Sequence, residues 1–282
     1  MCHDREQSSD VPPGTPVEEA IPLLYDRHAP MIRGLVWRMS GDAEAIDDLV
    51  QDTFLEAHRS WGGFEGRSKA STWLGGIAFR QWRRRGRRRS GEPETIPSLE
   101  ELLPFGDSTS SVIPGDQETP LEHSIRLEAA EAVHQAILAL PDDFRLPLVM
   151  KEMLELPVVD VADALGLKPE TVKTRLHRAR LRIREAMRKS LPQSPAVPPD
   201  YDRQTCIDLM NAKLGAQDAG RRFPVDNEIL CERCLTIFRE LDLAVDLSRT
   251  FDSQEPSTAE REELLHAIFS GSADATEASS DD

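Results

Sequence analysis

Two prolines and a glycine, Pro157, Gly166 and Pro169, confine the middle of this chain to one kind of local structure. Pro157 opens a short helix with Val158, Val161, Ala162 and Leu165 on its inner face. Gly166 supplies the left-handed turn that joins two helices at a steep angle. Pro169 falls at the first position of the next helix, where its missing N–H costs nothing. That helix turns Val172, Leu176, Ala179 and Ile183 inward and leaves Thr171, Lys173, Thr174, Arg175, Arg178 and Arg182 on its other faces. The spacing predicts a helix-turn-helix over residues 158–184. The N-terminal part of its second helix suits a major groove, where Lys and Arg pair with guanine edges and Thr touches a thymine methyl or a phosphate. The plain alternative is a helical hairpin with a charged surface. The tight spacing and the strongly basic second helix favour the helix-turn-helix.

The rest of the chain supports an all-α reading. Its 282 residues suffice for two or three small domains. Aromatic residues make up only 5 %, Val/Ile runs are short, and segments rich in Ala, Leu, Glu and Arg dominate. The net charge of −16 argues against a nucleic-acid partner until its distribution is considered. Residues 67–90 hold nine Lys/Arg and no acid, and residues 168–189 hold nine against Glu170 and Glu185. Residues 251–282 hold nine acids against Arg261 alone. Such blocks suggest two nucleic-acid-facing surfaces and an acidic tail. No apolar run approaches the ~20 residues of a membrane span, and the N-terminus lacks the apolar core of a signal peptide. A cytoplasmic protein is expected, and its four cysteines are not expected to form a disulfide framework.

Composition divides the chain into a disordered N-terminus (1–17), a helical block (18–90), a linker (91–119), a second helical block (120–191), a Pro-rich spacer (192–200), a third helical block (201–250) and a short helix with an acidic tail (251–282). The linker reads as flexible, because residues 91–118 contain four prolines, seven acids and no Lys/Arg. For the last helix, Ser257 is the expected N-cap, Glu260 the capping-box partner and Gly271 the stop.

In the first block Asp42 is placed to cap a helix carrying one apolar stripe, Ile46, Leu49, Val50, Phe54 and Ala57. Glu44, Asp47, Asp48, Asp52 and Glu56 fill the other face. A loop with Gly62, Gly63 and Gly66 leads into a segment bearing Arg67, Trp73, Arg80, Trp82, Arg83 and Arg84. Aromatic stacking platforms beside phosphate-tracking arginines suit single-stranded or melting DNA. Trp73 and Trp82, nine residues apart, fall nearly opposite on a continuous helix, so one is expected in the core and one exposed.

These two blocks resemble a known family. The stretch from Leu140-Pro-Asp-Asp-Phe-Arg145 through Asp160-Val-Ala-Asp-Ala-Leu-Gly166 to Thr171-Val-Lys-Thr-Arg-Leu-His-Arg-Ala-Arg180 resembles region 4 of bacterial sigma factors of the extracytoplasmic-function group. Glu155 departs from it, standing where the family often has Gly. Gly41-Asp-Ala-Glu-Ala45, Asp48-Leu-Val-Gln-Asp-Thr-Phe54, Phe64-Glu-Gly-Arg-Ser68 and Thr72-Trp-Leu74 resemble region 2 of the same group, with Phe79-Arg80 where Arg-Asn is common. The resemblance implies a region 2 bundle and a region 4 helix-turn-helix. It implies that Asp48, Gln51 and Phe54 dock on core RNA polymerase and that Arg67, Trp73, Arg80, Trp82, Arg83 and Arg84 open and read the −10 element. Lys168, Thr171, Lys173, Thr174, Arg175 and Arg178 would then read the −35 element of promoter DNA. About thirty linker residues can span at most ~100 Å, ample for two separated promoter elements.

The third block carries Cys206 and a Cys231-Glu-Arg-Cys234 motif at the head of a helix. Three thiolates are one ligand short of a tetrahedral zinc site. The layout resembles the zinc-binding domain of anti-sigma factors, with Asn227 at the usual His position. Zinc on Cys206, Cys231 and Cys234, a redox pair at Cys231 and Cys234, and plain buried cysteines all stay open. No cofactor is required for the function implied. An anti-sigma-like domain on the same chain suggests self-regulation by folding back on the basic faces, with a separate anti-sigma factor as the other possible partner. A stand-alone helix-turn-helix regulator and a thiol- or metal-sensing DNA-binding protein are the competing functions. No nucleophile–base pair, phosphate loop or His-rich cluster points to an enzyme.

Overall fold

A computed structural model describes residues 11–41, 44–86, 97–106, 108–113, 119–249 and 258–277. Within the last helix, side chains are described for residue 259 and residues 261–269. The chain forms two compact units, residues 1–91 with 252–282, and residues 92–251.

The first unit is built on three mutually packed helices, α1 (Val17–Ser40), α2 (Glu44–Ser60) and α3 (Ala70–Gly86). Their apolar stripes meet in a core containing Leu24, Ile32, Leu35, Leu49, Phe54, Leu74 and Ile77, none more than 2 % exposed. Gly41 ends α1 in the left-handed conformation, and its N–H returns to the Trp37 carbonyl. Asp42 and Arg87–Arg89 lie outside the described residues. The segment before α1 is ordered from Val11 onward, contrary to the expected disorder over 1–17. Val11 is buried, and the Trp61 indole N–H donates to the Thr15 carbonyl at 2.7 Å. A helix at the far end of the chain, Thr258–Glu277, also belongs to this unit and packs on α2. It runs through Gly271, so that glycine does not stop it; Ser257 lies outside the described residues.

The second unit contains α4 (Leu99–Leu102), α5 (Pro120–Leu138), α6 (Asp142–Met153), α7 (Val158–Leu165), α8 (Pro169–Ser190), α9 (Arg203–Asp218) and α10 (Glu232–Arg249). The C-terminal helix Thr258–Glu277 is therefore α11. Helix α8 is the hub: α4, α5, α6, α7, α9 and α10 all touch it. Residues 97–106 and 108–113 of the expected linker do not behave as a free linker. Ser98 and Glu101 make a capping box that starts α4, and Leu99, Leu102, Leu103 and Phe105 pack against a core formed by Leu181, Cys206, Met210, Leu214, Ile237 and Leu241. A strand β1 (Thr109–Ser111) pairs antiparallel with β2 (Gln193–Pro195), so the linker and the Pro-rich spacer hold each other. Arg233 fastens both, donating to the carbonyls of Phe105 at 3.1 Å and Val197 at 3.1 Å. The third helical block is consequently not a separate body, because α9, α10 and α8 share one core.

Candidate nucleic-acid interface

The helix-turn-helix forms where the prolines and glycine place it. Pro157 precedes α7, whose Val158, Val161 and Ala162 are buried. Gly166 adopts φ 70°, and the Leu167 N–H reaches back to the Ala162 carbonyl at 2.9 Å. Pro169 begins α8, which buries Val172, Leu176, Ala179 and Ile183. Glu155, in the turn before α7, has φ 54° and is the sole non-glycine residue with positive φ among the described residues.

The six residues expected to face DNA divide along α8. Lys168, Lys173 and Thr174 are exposed and Thr171 is half-buried at the N-terminal end. Arg175 donates to Asp143 of α6 at 3.1 Å. Arg178 donates to the Pro97 carbonyl at 2.9 Å and lies 4.9 Å from the Phe144 ring centroid. Beyond Arg178 the helix turns two of its basic residues, Arg180 and Arg184, inward. Arg180 is fully buried between Glu152, at 2.7 Å, and Asp218 of α9. Arg184 is buried against Glu240 of α10. His177 meets Asp218 at 2.8 Å, and Arg249 of α10 donates to Glu152 at 2.9 Å. Burial alone would raise the Asp218 carboxyl, but the His177 hydrogen bond and the Arg180 charge hold it below its ordinary value. Sequence alone missed this network, since Arg180 and Arg184 look like any other basic residue of the helix. The extension thus covers the C-terminal half of α8 and leaves its N-terminal turns open.

In the first unit, Arg67, Arg80, Arg83 and Arg84 are exposed, and Arg67 pairs with Glu65. Trp73 and Trp82 are both half-buried, so neither is wholly core and neither wholly exposed. Trp73 packs against Phe64, with ring centroids 4.9 Å apart, and against Trp61, at 5.8 Å. Trp82 stacks on Phe79, which is buried. Trp61 went unnoticed in the sequence, although Trp-Gly-Gly after an amphipathic helix marks a turn with an aromatic anchor. On α2, Asp48 is exposed and Gln51 half-buried. Phe54 is 0 % exposed and meets Tyr25 edge-on at 5.0 Å. It belongs to the core of the bundle rather than to a docking surface, because its place on the apolar stripe turns it inward.

Cys206, Cys231 and Cys234 come together as free, buried thiols inside the apolar core of the second unit. The Cys234 N–H points at the Cys231 sulfur at 3.5 Å, as expected at a helix start. Burial and the neighbouring thiols push Cys234 up to about 12. Asn227 is exposed. Among the described residues, no three His, Cys, Asp or Glu side chains are arranged to hold a metal ion, and no helix is long and apolar enough to cross a membrane.

Comparison with known proteins agrees with this geometry. The family described as Sigma-70 region 2 matches residues 24–92, and Sigma-70, region 4 matches residues 130–183. The ECF RNA polymerase sigma factor SigW of Bacillus subtilis is 32 % identical over 174 residues, covering 62 % of this chain and 90 % of SigW. The RNA polymerase sigma-H factor of Pseudomonas aeruginosa is 32 % identical over 182 residues, 63 % of this chain and 91 % of that protein. The sigma factor YlaC of Bacillus subtilis is 30 % identical over 175 residues, 61 % of this chain and 94 % of YlaC. The α1–α3 bundle and the helix-turn-helix of α7 and α8 therefore stand in a chain that belongs to the ECF family of RNA polymerase sigma factors.

Proposed function

We propose that this chain binds core RNA polymerase and directs promoter recognition and transcription initiation, with no catalysis of its own. In this reading the exposed face of α2, with Asp48 and Gln51, docks on polymerase. The Trp61–Trp73 aromatic cluster and Arg80, Arg83 and Arg84 engage the opening −10 element. The N-terminal turns of α8, with Lys168, Lys173 and Thr174, enter the −35 major groove. The observation that carries it is the open, basic N-terminus of α8 in a chain that also holds a region 2 bundle, a part that a stand-alone regulator lacks. Working on polymerase places the protein in the cytoplasm. The test is in-vitro transcription with core polymerase over a library of promoters. Promoter-specific transcripts that disappear with Lys173→Glu support the reading, and transcripts no different from those of core polymerase alone refute it.

The extension is read as an anti-sigma-like regulatory module fused to region 4. Its Asp218 and Glu240 hold Arg180 and Arg184 of the recognition helix, a charge complementarity expected of a module that evolved to grip this helix. Zinc in such a module would fall to Cys206, Cys231 and Cys234, but among the described residues these thiols are not arranged to hold a metal ion and no fourth donor completes a tetrahedral set. They are better read as small buried apolar groups. Metal analysis of the purified protein and of Cys231→Ser checks this: one zinc per chain, lost in the variant, would restore the metal reading. Cutting the chain at Pro199 is a poor test of regulation, since it would bare Leu181, take Asp218 from Arg180 and take Glu240 from Arg184.

A further inference from the structure

The helix α11 lies on α2, within the first unit. Leu264 and Ile268, one turn apart, are buried. Phe269 meets the His58 ring edge-on, with centroids 5.5 Å apart. Arg261 grips Asp26 of α1 through both nitrogens of its fork, the Nη2 contact at 2.9 Å. Glu263 and Leu264 wall one side of a cavity of about 210 Å³, and Asp47, Asp48 and Gln51 of α2 wall the other. The C-terminal helix therefore stands beside the two residues of α2 that the proposed function assigns to polymerase docking.

We infer that α11 is an intramolecular competitor of core polymerase: it occupies the room over α2 that a docking polymerase needs, and must lift before the protein can engage. The inference rests on the reading of α2 as the docking face. The contact has the character of a releasable latch. Among the described side chains of α11 few are buried, its Arg261–Asp26 pair is solvent-exposed and so contributes little, and it leaves a cavity beneath it where a permanent interface would be filled. A weak contact is enough, because a tethered segment acts at an effective concentration on the order of millimolar. The affinity for polymerase is then reduced by the fraction of molecules in which α11 is lifted.

The experiment uses the full chain. Leu264→Asp with Ile268→Asp should release α11, which amide hydrogen exchange would register as lost protection in α11 with α1–α3 still protected. Fluorescence anisotropy of labelled protein against core polymerase should then show affinity about tenfold higher. Arg261→Asp alone should raise affinity about threefold, and adding Asp26→Arg should return it to the starting value, a reversal that mere unfolding would not give. If exchange shows α11 released while affinity is unchanged or lower, the latch is refuted. Failure of the docking reading looks different. Gln51→Arg with Asp48→Arg in the released chain would then leave polymerase binding intact.

Discussion

Glu155 pays a local cost that can be measured. An L-residue in the left-handed region is disfavoured by roughly 1–2 kcal/mol through the clash of its Cβ with the following carbonyl. Its φ of 54° lies in that region, at the position where the family often carries glycine. Glycine removes the clash but costs more backbone entropy, about 0.5–1 kcal/mol. Glu155→Gly should therefore stabilise the second unit by about 0.5–1 kcal/mol, read as a higher urea midpoint at unchanged m-value. A lower midpoint would mean that the Glu155 side chain contributes more than its backbone costs. The sequence marked this position as a departure from the family, and the conformation explains why glycine is common there.

At the scale of elements, the legible parts of the fold were those written locally. Pro157, Gly166 and Pro169 announce α7, the turn and α8 because each residue acts on its own backbone. The stripe from Ile46 to Ala57 announces α2 for the same reason. The packing of the linker was illegible. Leu99, Leu102, Leu103 and Phe105 are four apolar residues in an acidic, proline-containing stretch, and the α9 and α10 residues they cover lie about a hundred or more positions along the chain. Likewise the burial of Arg180 and Arg184 was illegible, because the carboxylates of Asp218 and Glu240 arrive 38 and 56 residues later. The network they form has a pH signature. Asp218 titrates below its ordinary value in the folded protein. Its contribution is thus complete above the unfolded carboxyl pKa of about 3.9 and is lost as pH falls through the lower folded value. Asp218→Asn should cost about 3 kcal/mol at neutral pH, since it leaves buried Arg180 short of a charge partner. The difference from the unsubstituted chain should shrink below about pH 4. Urea denaturation of both proteins between pH 3 and 7 checks this, and a difference independent of pH would sink the ionic account of this network.

At the scale of the whole molecule, the charge distribution sets how tightly and how selectively the protein holds DNA. The net charge is −16, so any favourable field must be local. Residues 168–189 supply nine Lys/Arg, but most are already committed to carboxylates within the chain. Arg175 is held by Asp143, Arg180 by Glu152 and Asp218, and Arg184 by Glu240, while Arg182 and Lys189 share Glu185. The charge offered to phosphates at the −35 site is therefore concentrated in Lys168 and Lys173, not spread over the whole helix. Each phosphate neutralised contributes about 0.9 to the fall of log K with log salt. In the holoenzyme, Lys168→Ala with Lys173→Ala should reduce the magnitude of that slope by about 2 on promoter DNA. Arg182→Ala should leave it nearly unchanged, although the sequence places all three in one basic run. Filter-binding or anisotropy titrations across a range of salt concentrations would separate these outcomes. Equal losses from Arg182 and from Lys173 would mean that the ion pairs along α8 open when DNA binds.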